Sequence, residues 1–177
     1  MAATEYIVLV DQNDNPIGTA EKIQAHREGL CHRAFSVFIY REHPQIALLL
    51  QQRAEEKYHS AGLWTNTCCS HPRPHEDIIK AGQRRLLEEM GIESSLTSVG
   101  KFHYVADFTN GLTENEIDYV LAGTLENAVF HPNPHEVQAY RWITLDELKQ
   151  ELATHPKQFT AWFKQALEVL EKSLIIP

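Results

Sequence analysis

Between Asp77 and Gly91 the chain carries one stretch with a helical period and its own stop, and that stretch constrains the fold most. Ile78, Ile79, Gly82, Leu86 and Met90 recur near helical spacing, and Gly91 follows as a C-terminal stop. A polar loop after Pro72 leads into it. On either side the pattern changes to short runs that read as strands. Tyr6 to Val10 is one, closed by the turn-rich Asp11 to Gly18; Ala34 to Tyr40 is a second, with Ile46 to Gln52 as its expected hairpin partner. Val99 to Phe108 and Glu114 to Leu125 read as strands joined through Thr109-Asn110-Gly111. Val137 to Ile143 reads as a last strand after the Pro-rich loop His131 to Glu136. Thr144-Leu145-Asp146-Glu147 has a capping-box pattern and opens a helix to about Ala153. Trp162, Phe163, Ala166, Leu167 and Leu170 mark a final amphipathic helix. Strands around a central helix, with two helices at the end, argue for a mixed α/β or α+β sandwich.

The 177 residues fit a single domain, 1–177, able to bury roughly 70% of its unfolded surface without disulfides. Three cysteines give an odd count, and the neighbours Cys68 and Cys69 are poorly placed to bridge each other, so a reducing, cytoplasmic setting is expected. Met1-Ala2-Ala3-Thr4-Glu5 offers no signal-peptide pattern, and no run of about 18 apolar residues occurs. The expectation is a soluble monomer, neither exported nor membrane-spanning. A net charge of −8 argues against nucleic-acid binding, so a phosphate ligand would need a local basic cluster.

Two runs carry chemistry. In Thr65-Asn66-Thr67-Cys68-Cys69-Ser70-His71-Pro72, period-two alternation puts Cys69 and His71 on one face and Cys68 on the other. That pair is either a buried thiol beside a hydrogen-bonded imidazole or a nucleophile or acid/base beside a metal ligand. In Glu114-Asn115-Glu116-Ile117-Asp118 the carboxylates share one face. Either water screens their repulsion, or a divalent cation gathers two of them and imidazoles complete its shell. His26, read on a charged connecting loop from Glu21 to Gly29, His32 at a strand entrance, and His71 are the available imidazoles. Such a nitrogen–oxygen set suits Mn²⁺, Zn²⁺ or Fe²⁺ better than Ca²⁺.

Arg85, Glu88 and Glu89 share a helix face, which by itself is an ordinary surface ion pair. The wider spacing Ser70-x5-Glu76-x7-Arg84-Arg85-Leu86-Leu87-Glu88-Glu89-Met90-Gly91-Ile92 resembles the loop-helix-loop box of the Nudix superfamily. Ser70 stands where the box has its first glycine, and Arg85 where it has a glutamate. Losing that acid argues against ordinary Nudix diphosphate hydrolysis. With the Cys-x-His run upstream and Glu114-Asn115-Glu116 downstream, the chain resembles the type I isopentenyl-diphosphate isomerases from Lys22 to Trp162.

The resemblance implies a Nudix-like mixed sheet and a small allylic or homoallylic diphosphate as substrate. Cys69 and Glu116 are implied as catalytic residues. His26, His32, His71, Glu114 and Glu116 are implied as ligands of one Mn²⁺ or Zn²⁺, and Glu89 as holding a Mg²⁺ that bridges the substrate diphosphate. Lys22, Arg53, Lys57 and Arg85 match the family's diphosphate-binding cations, which gives the change at Arg85 a positive reason. Moving the double bond adds a proton at the terminal alkene carbon and removes one at C2. An alkene is a very weak base, so the donor is expected to be metal-bound Glu116 assisted by Tyr104, with Cys69 as thiolate on the opposite face. Trp162 would present its ring to the carbocation-like intermediate. The alternatives are a Nudix hydrolase of a nucleoside or other diphosphate, and a non-catalytic binding module with structural zinc. The second lacks the paired Cys or His motifs such zinc sites use.

Overall fold

The computed structural model describes residues 3–126 and 129–174, so Met1 and Ala2 lie outside it. Strand β3 (His32–Arg41) is the axis. One of its edges carries β8 (Thr113–Thr124) in parallel register from His32↔Glu116 to Tyr40↔Thr124. Its other edge is shared among several strands. Leu9 of β1 (Tyr6–Val10) pairs at His32, β6 (Cys68–Ser70) pairs over Phe35–Val37, and β4 (Ala47–Arg53) pairs over Ile39–Arg41. The expected β3–β4 hairpin therefore exists only at its turn end. Beyond it β4 leaves β3 and pairs along its whole length with β9 (Val137–Thr144). β2 (Pro16–Glu21), β5 (Trp64–Thr65) and β7 (Thr97–Asp107) complete one branched mixed sheet of nine strands among the described residues. Residues 16–18, read as turn, thus begin β2.

Helices cover the two faces. Helix α2 (Ile78–Met90) starts at Asp77, whose carboxylate accepts from the backbone N–H of Ile79 and Lys80, and stops at Gly91 in the left-handed conformation. Ala81, Leu86 and Met90 pack on Phe35, Val37, Ile39, Cys68 and Leu121. Gly82 meets the sheet so closely that an added Cβ would lie 2.6 Å from Leu121 Cδ1, so its lack of a side chain sets the helix–sheet distance. On the opposite face Phe38, Leu48, Leu50 and Val120 pack against Leu148 of α3 (Leu145–Thr154) and against Phe163, Ala166, Leu167 and Leu170 of α4 (Phe163–Leu174). The capping box at Thr144 forms as read. Trp162, expected on the last helix, stands one residue before it.

Residues 21–29 do not form a loop. Glu21 caps α1 (Lys22–Glu28), accepting from the N–H of Ile23 and Gln24, and Gly29 ends it at φ 66°. Two turns are too short to show a helical period in sequence.

Candidate active site and metal centre

The site grows from the face that α3 and α4 leave uncovered. Along β8, Val120 and Ala122 pack in the helical core, while Glu114, Glu116 and Asp118 on the same face continue past it. Those carboxylates are 3%, 5% and 2% exposed, so the water-screened reading fails. Buried charges at this spacing need partners.

Glu116 receives two of them. His32 Nε2 and His71 Nε2 each stand 3.1 Å from its Oε1. His32 Nδ1 donates to the Leu30 carbonyl at 2.8 Å, and His26 Nδ1 to the Lys22 carbonyl at 2.7 Å. A neutral imidazole with Nδ1–H so committed has only a lone pair on Nε2. His32 thus aims a lone pair at a carboxylate oxygen, and His26 Nε2 is buried without a partner among the described residues. A cation resolves both. One ligand atom each from His26, His32, His71 and Glu116 lies within 4.8 Å of the others, and backbone carbonyls orient two of the rings, the outer support that metal-binding histidines use. The donor set fits a divalent cation.

Electrostatics follow from burial. It works to raise the Glu116 carboxyl, but His32 and His71, standing against its Oε1, override it and hold Glu116 well below the carboxylate range. Burial lowers His71 to about 4 and His59 to about 2, and pushes Glu114 and Asp118 well up, each raised further by Glu116.

A cavity of about 720 Å³ opens beside this cluster. Lys22, Arg53, Lys57 and Arg85 all line it, with Cys69, His71, Glu114, Glu116 and Trp162. Cys69 and His71 share the cavity while Cys68 turns to the α2 core, as the alternation predicts. Lys22 pairs with Glu5, Lys57 with Glu136, and Arg85 with Glu88 at 2.7 Å and Glu136 at 3.2 Å. Arg53 differs. It is 3% exposed, donates to Cys69 Sγ at 3.6 Å and to the His59 carbonyl at 3.2 Å, and has no carboxylate in ion-pair range among the described residues. Burial pushes the Cys69 thiol up and Arg53 only partly offsets it, which favours the thiol in the substrate-free site.

Tyr104 is the direct cross-strand neighbour of Glu116, and its hydroxyl is buried without a partner among the described residues. Trp162 is held by its Nε1–H donating to Asn66 Oδ1 at 3.1 Å, with its ring 6.3 Å from Tyr104. Glu89 is buried behind the wall rather than on it, 3.5 Å from Arg85. Sequence reasoning misses His59 and leaves Asp118 without a role. His59 is buried against Glu114, and Asp118 lines the cavity while accepting from Ser36 Oγ at 2.8 Å. For His59 no periodic or spacing signal exists; for Asp118 the signal was its face.

A family model described as NUDIX domain matches residues 31–163, and the chain belongs to the Nudix family. The crystal structure of a Deinococcus radiodurans protein superposes with a TM-score of 0.73 at 19% identity, covering 94% of this chain and 98% of that one, a likeness of fold alone. Closer relatives narrow the class. An isopentenyl-diphosphate Delta-isomerase of Photobacterium profundum is 50% identical over 98% of both chains. One of Pectobacterium atrosepticum is 49% identical over 93% of this chain and 89% of its own. Within the Nudix family the chain belongs with the isopentenyl-diphosphate Delta-isomerases.

Proposed function

We propose that the chain, acting as one domain over 1–177, converts isopentenyl diphosphate to dimethylallyl diphosphate at the cavity between its imidazole–carboxylate cluster and its cationic wall. One observation carries the reading. Buried Arg53, a cation with no carboxylate partner among the described residues, contacts Cys69, on the cavity that Glu116 enters from β8. Lys22, Arg53, Lys57 and Arg85 would bind the diphosphate, exchanging Glu5 and Glu136 for substrate oxygens. Anchoring the diphosphate there would leave the short hydrocarbon arm among Cys69, Glu116 and Trp162, with Tyr104 beside Glu116 on the neighbouring strand.

Cys69 and Glu116, the latter backed by Tyr104, form the proton-exchange pair. Between them they carry one transferable proton, which one member gives to the alkene while the other takes the C2 proton. The Trp162 ring would stabilise positive charge between the two steps, a desolvated contact worth about 2 kcal/mol. Glu116 is buried and Cys69 half-buried, which limits the water that would otherwise capture that charge.

The His26, His32, His71, Glu114 and Glu116 donors would hold Mn²⁺ or Zn²⁺, and Glu89, reached by displacing Arg85, would serve a Mg²⁺ arriving with the diphosphate. Such a cation supplies electrostatic stabilisation of the carboxylates and the diphosphate. The three cysteines are free, which supports a reducing, cytoplasmic setting, and we read the chain as a monomer.

Proton NMR in D₂O with isopentenyl diphosphate and Mg²⁺ tests the reading. Dimethylallyl methyl signals carrying deuterium should appear with the wild type and be absent with Cys69→Ala. Unchanged substrate with the wild type, or full turnover by the variant, overturns it.

A further inference from the structure

His59 has no part in the reaction as proposed, yet its surroundings are those of a ligand. It lies on the loop between β4 and β5 with its side chain 2% exposed. Its ring stacks on Phe108, with centroids 4.7 Å apart and planes 5° from parallel, and its edge meets Tyr58 and Trp162. Arg53 donates to its carbonyl. Ring and backbone are both held in place. Nδ1 stands 3.0 Å from Ser60 Oγ, and in the tautomer whose Nδ1–H donates there Nε2 is left with a lone pair.

Three buried atoms converge at that point. His59 Nε2, His26 Nε2 and Glu114 Oε2 each lack a hydrogen-bond partner among the described residues. His26, His59 and Glu114 offer ligand atoms within 4.8 Å of one another. His59 Nε2 also touches Glu114 Oε1, but the contact does not align as a hydrogen bond. Lone pairs so placed repel unless a proton or a cation sits among them. His26 belongs both to this set and to the His32, His71 and Glu116 set, and its single free nitrogen can serve one cation only.

We propose that His59 is a fourth imidazole ligand of the resident cation, bound on the His26–Glu114 side of the centre. This rests on the metal centre proposed above. Adding His59 gives four imidazole nitrogens beside the two carboxylates, a set that favours Zn²⁺ and its neighbours over Mg²⁺ or Ca²⁺.

The direct test is a Zn²⁺ titration of wild-type protein labelled with ¹⁵N-histidine. The Nε2 resonances of His26, His32, His71 and His59 should all move together to metal-bound positions, with His59 assigned by its disappearance in His59→Gln. Chelator competition should show His59→Gln and His59→Phe each binding Zn²⁺ about 10–100-fold more weakly, the scale of losing one support of a metal site. If His59 Nε2 stays unshifted while the other three move, or if the His59 variants bind Zn²⁺ as tightly as the wild type, this inference falls alone. If wild-type protein binds no Zn²⁺ and none of the resonances move, the metal centre falls with it.

Discussion

Arg53 donates to Cys69 Sγ across 3.6 Å inside the protein, so a fixed cation faces a neutral thiol. Neither group satisfies the other's charge. Arg53 Nε is also without a hydrogen-bond partner among the described residues. A buried cation in this state costs stability that an anionic ligand returns. Arg53→Met should therefore leave the ligand-free protein as stable as the wild type or up to about 2 kcal/mol more so. It should weaken binding of inorganic diphosphate by about 10–100-fold, the worth of a charge-assisted hydrogen bond. Denaturant melts and calorimetric titration measure the two. A variant destabilised by several kcal/mol would make Arg53 a structural residue.

His32 tests the metal centre from the opposite side of Glu116. Its 3.1 Å approach to that carboxylate, with Nδ1 committed to Leu30, requires a cation between the groups or a second proton on the ring. Wild-type protein should gain thermal stability on adding Mn²⁺ or Zn²⁺, about 2.7 kcal/mol at a hundredfold excess over the dissociation constant. His32→Gln should lose most of that gain. Equal metal-dependent shifts in both proteins would remove His32 from the site.

Asp118 gives a pH signature. Burial raises its carboxyl well above 3.8, so between pH 3.8 and that raised value the folded state binds more protons than the unfolded one. Its contribution to stability is then greatest at low pH and is lost as pH rises. Asp118→Asn has no such proton to lose. In chelator, the melting temperature of Asp118→Asn minus that of the wild type should increase steadily from pH 4 to pH 7. A difference independent of pH would show that the Asp118 carboxyl titrates alike in both states.

Arg85 replaces an acid of the Nudix box and now pairs with Glu88, Glu89 and Glu136. Restoring the acid by Arg85→Glu would set a new carboxylate among these three, with Glu89 only 1% exposed. Loss of the buried partner should destabilise the protein by about 3–5 kcal/mol and abolish isomerisation. Phosphate release from nucleoside diphosphates should stay at background, because the change also removes a cation that the proposed site uses to bind a diphosphate. A hydrolase emerging from this one substitution would contradict that account.

Much of this was legible along the chain. Asp77 and Gly91 bound the central helix through local backbone hydrogen bonds, and alternation alone separated Cys69 and His71 from Cys68. The same alternation put Glu114, Glu116 and Asp118 on one face, since side-chain direction in a strand depends only on the pleat. What residues do locally is written locally. Whether that acidic face met water or imidazoles was decided by β3 lying parallel to β8, which sets His32 opposite Glu116 from 84 positions away. The same pairing left α1 to bring His26 and the β4–β5 loop to bring His59 to Glu114. Neither carries a period, because one is two turns long and the other has no repeating structure. Burial also decided that Cys69 rests as a thiol and that Arg53 lacks a carboxylate. Those charge states depend on which groups the fold removes from water together, and only the tertiary structure sets that.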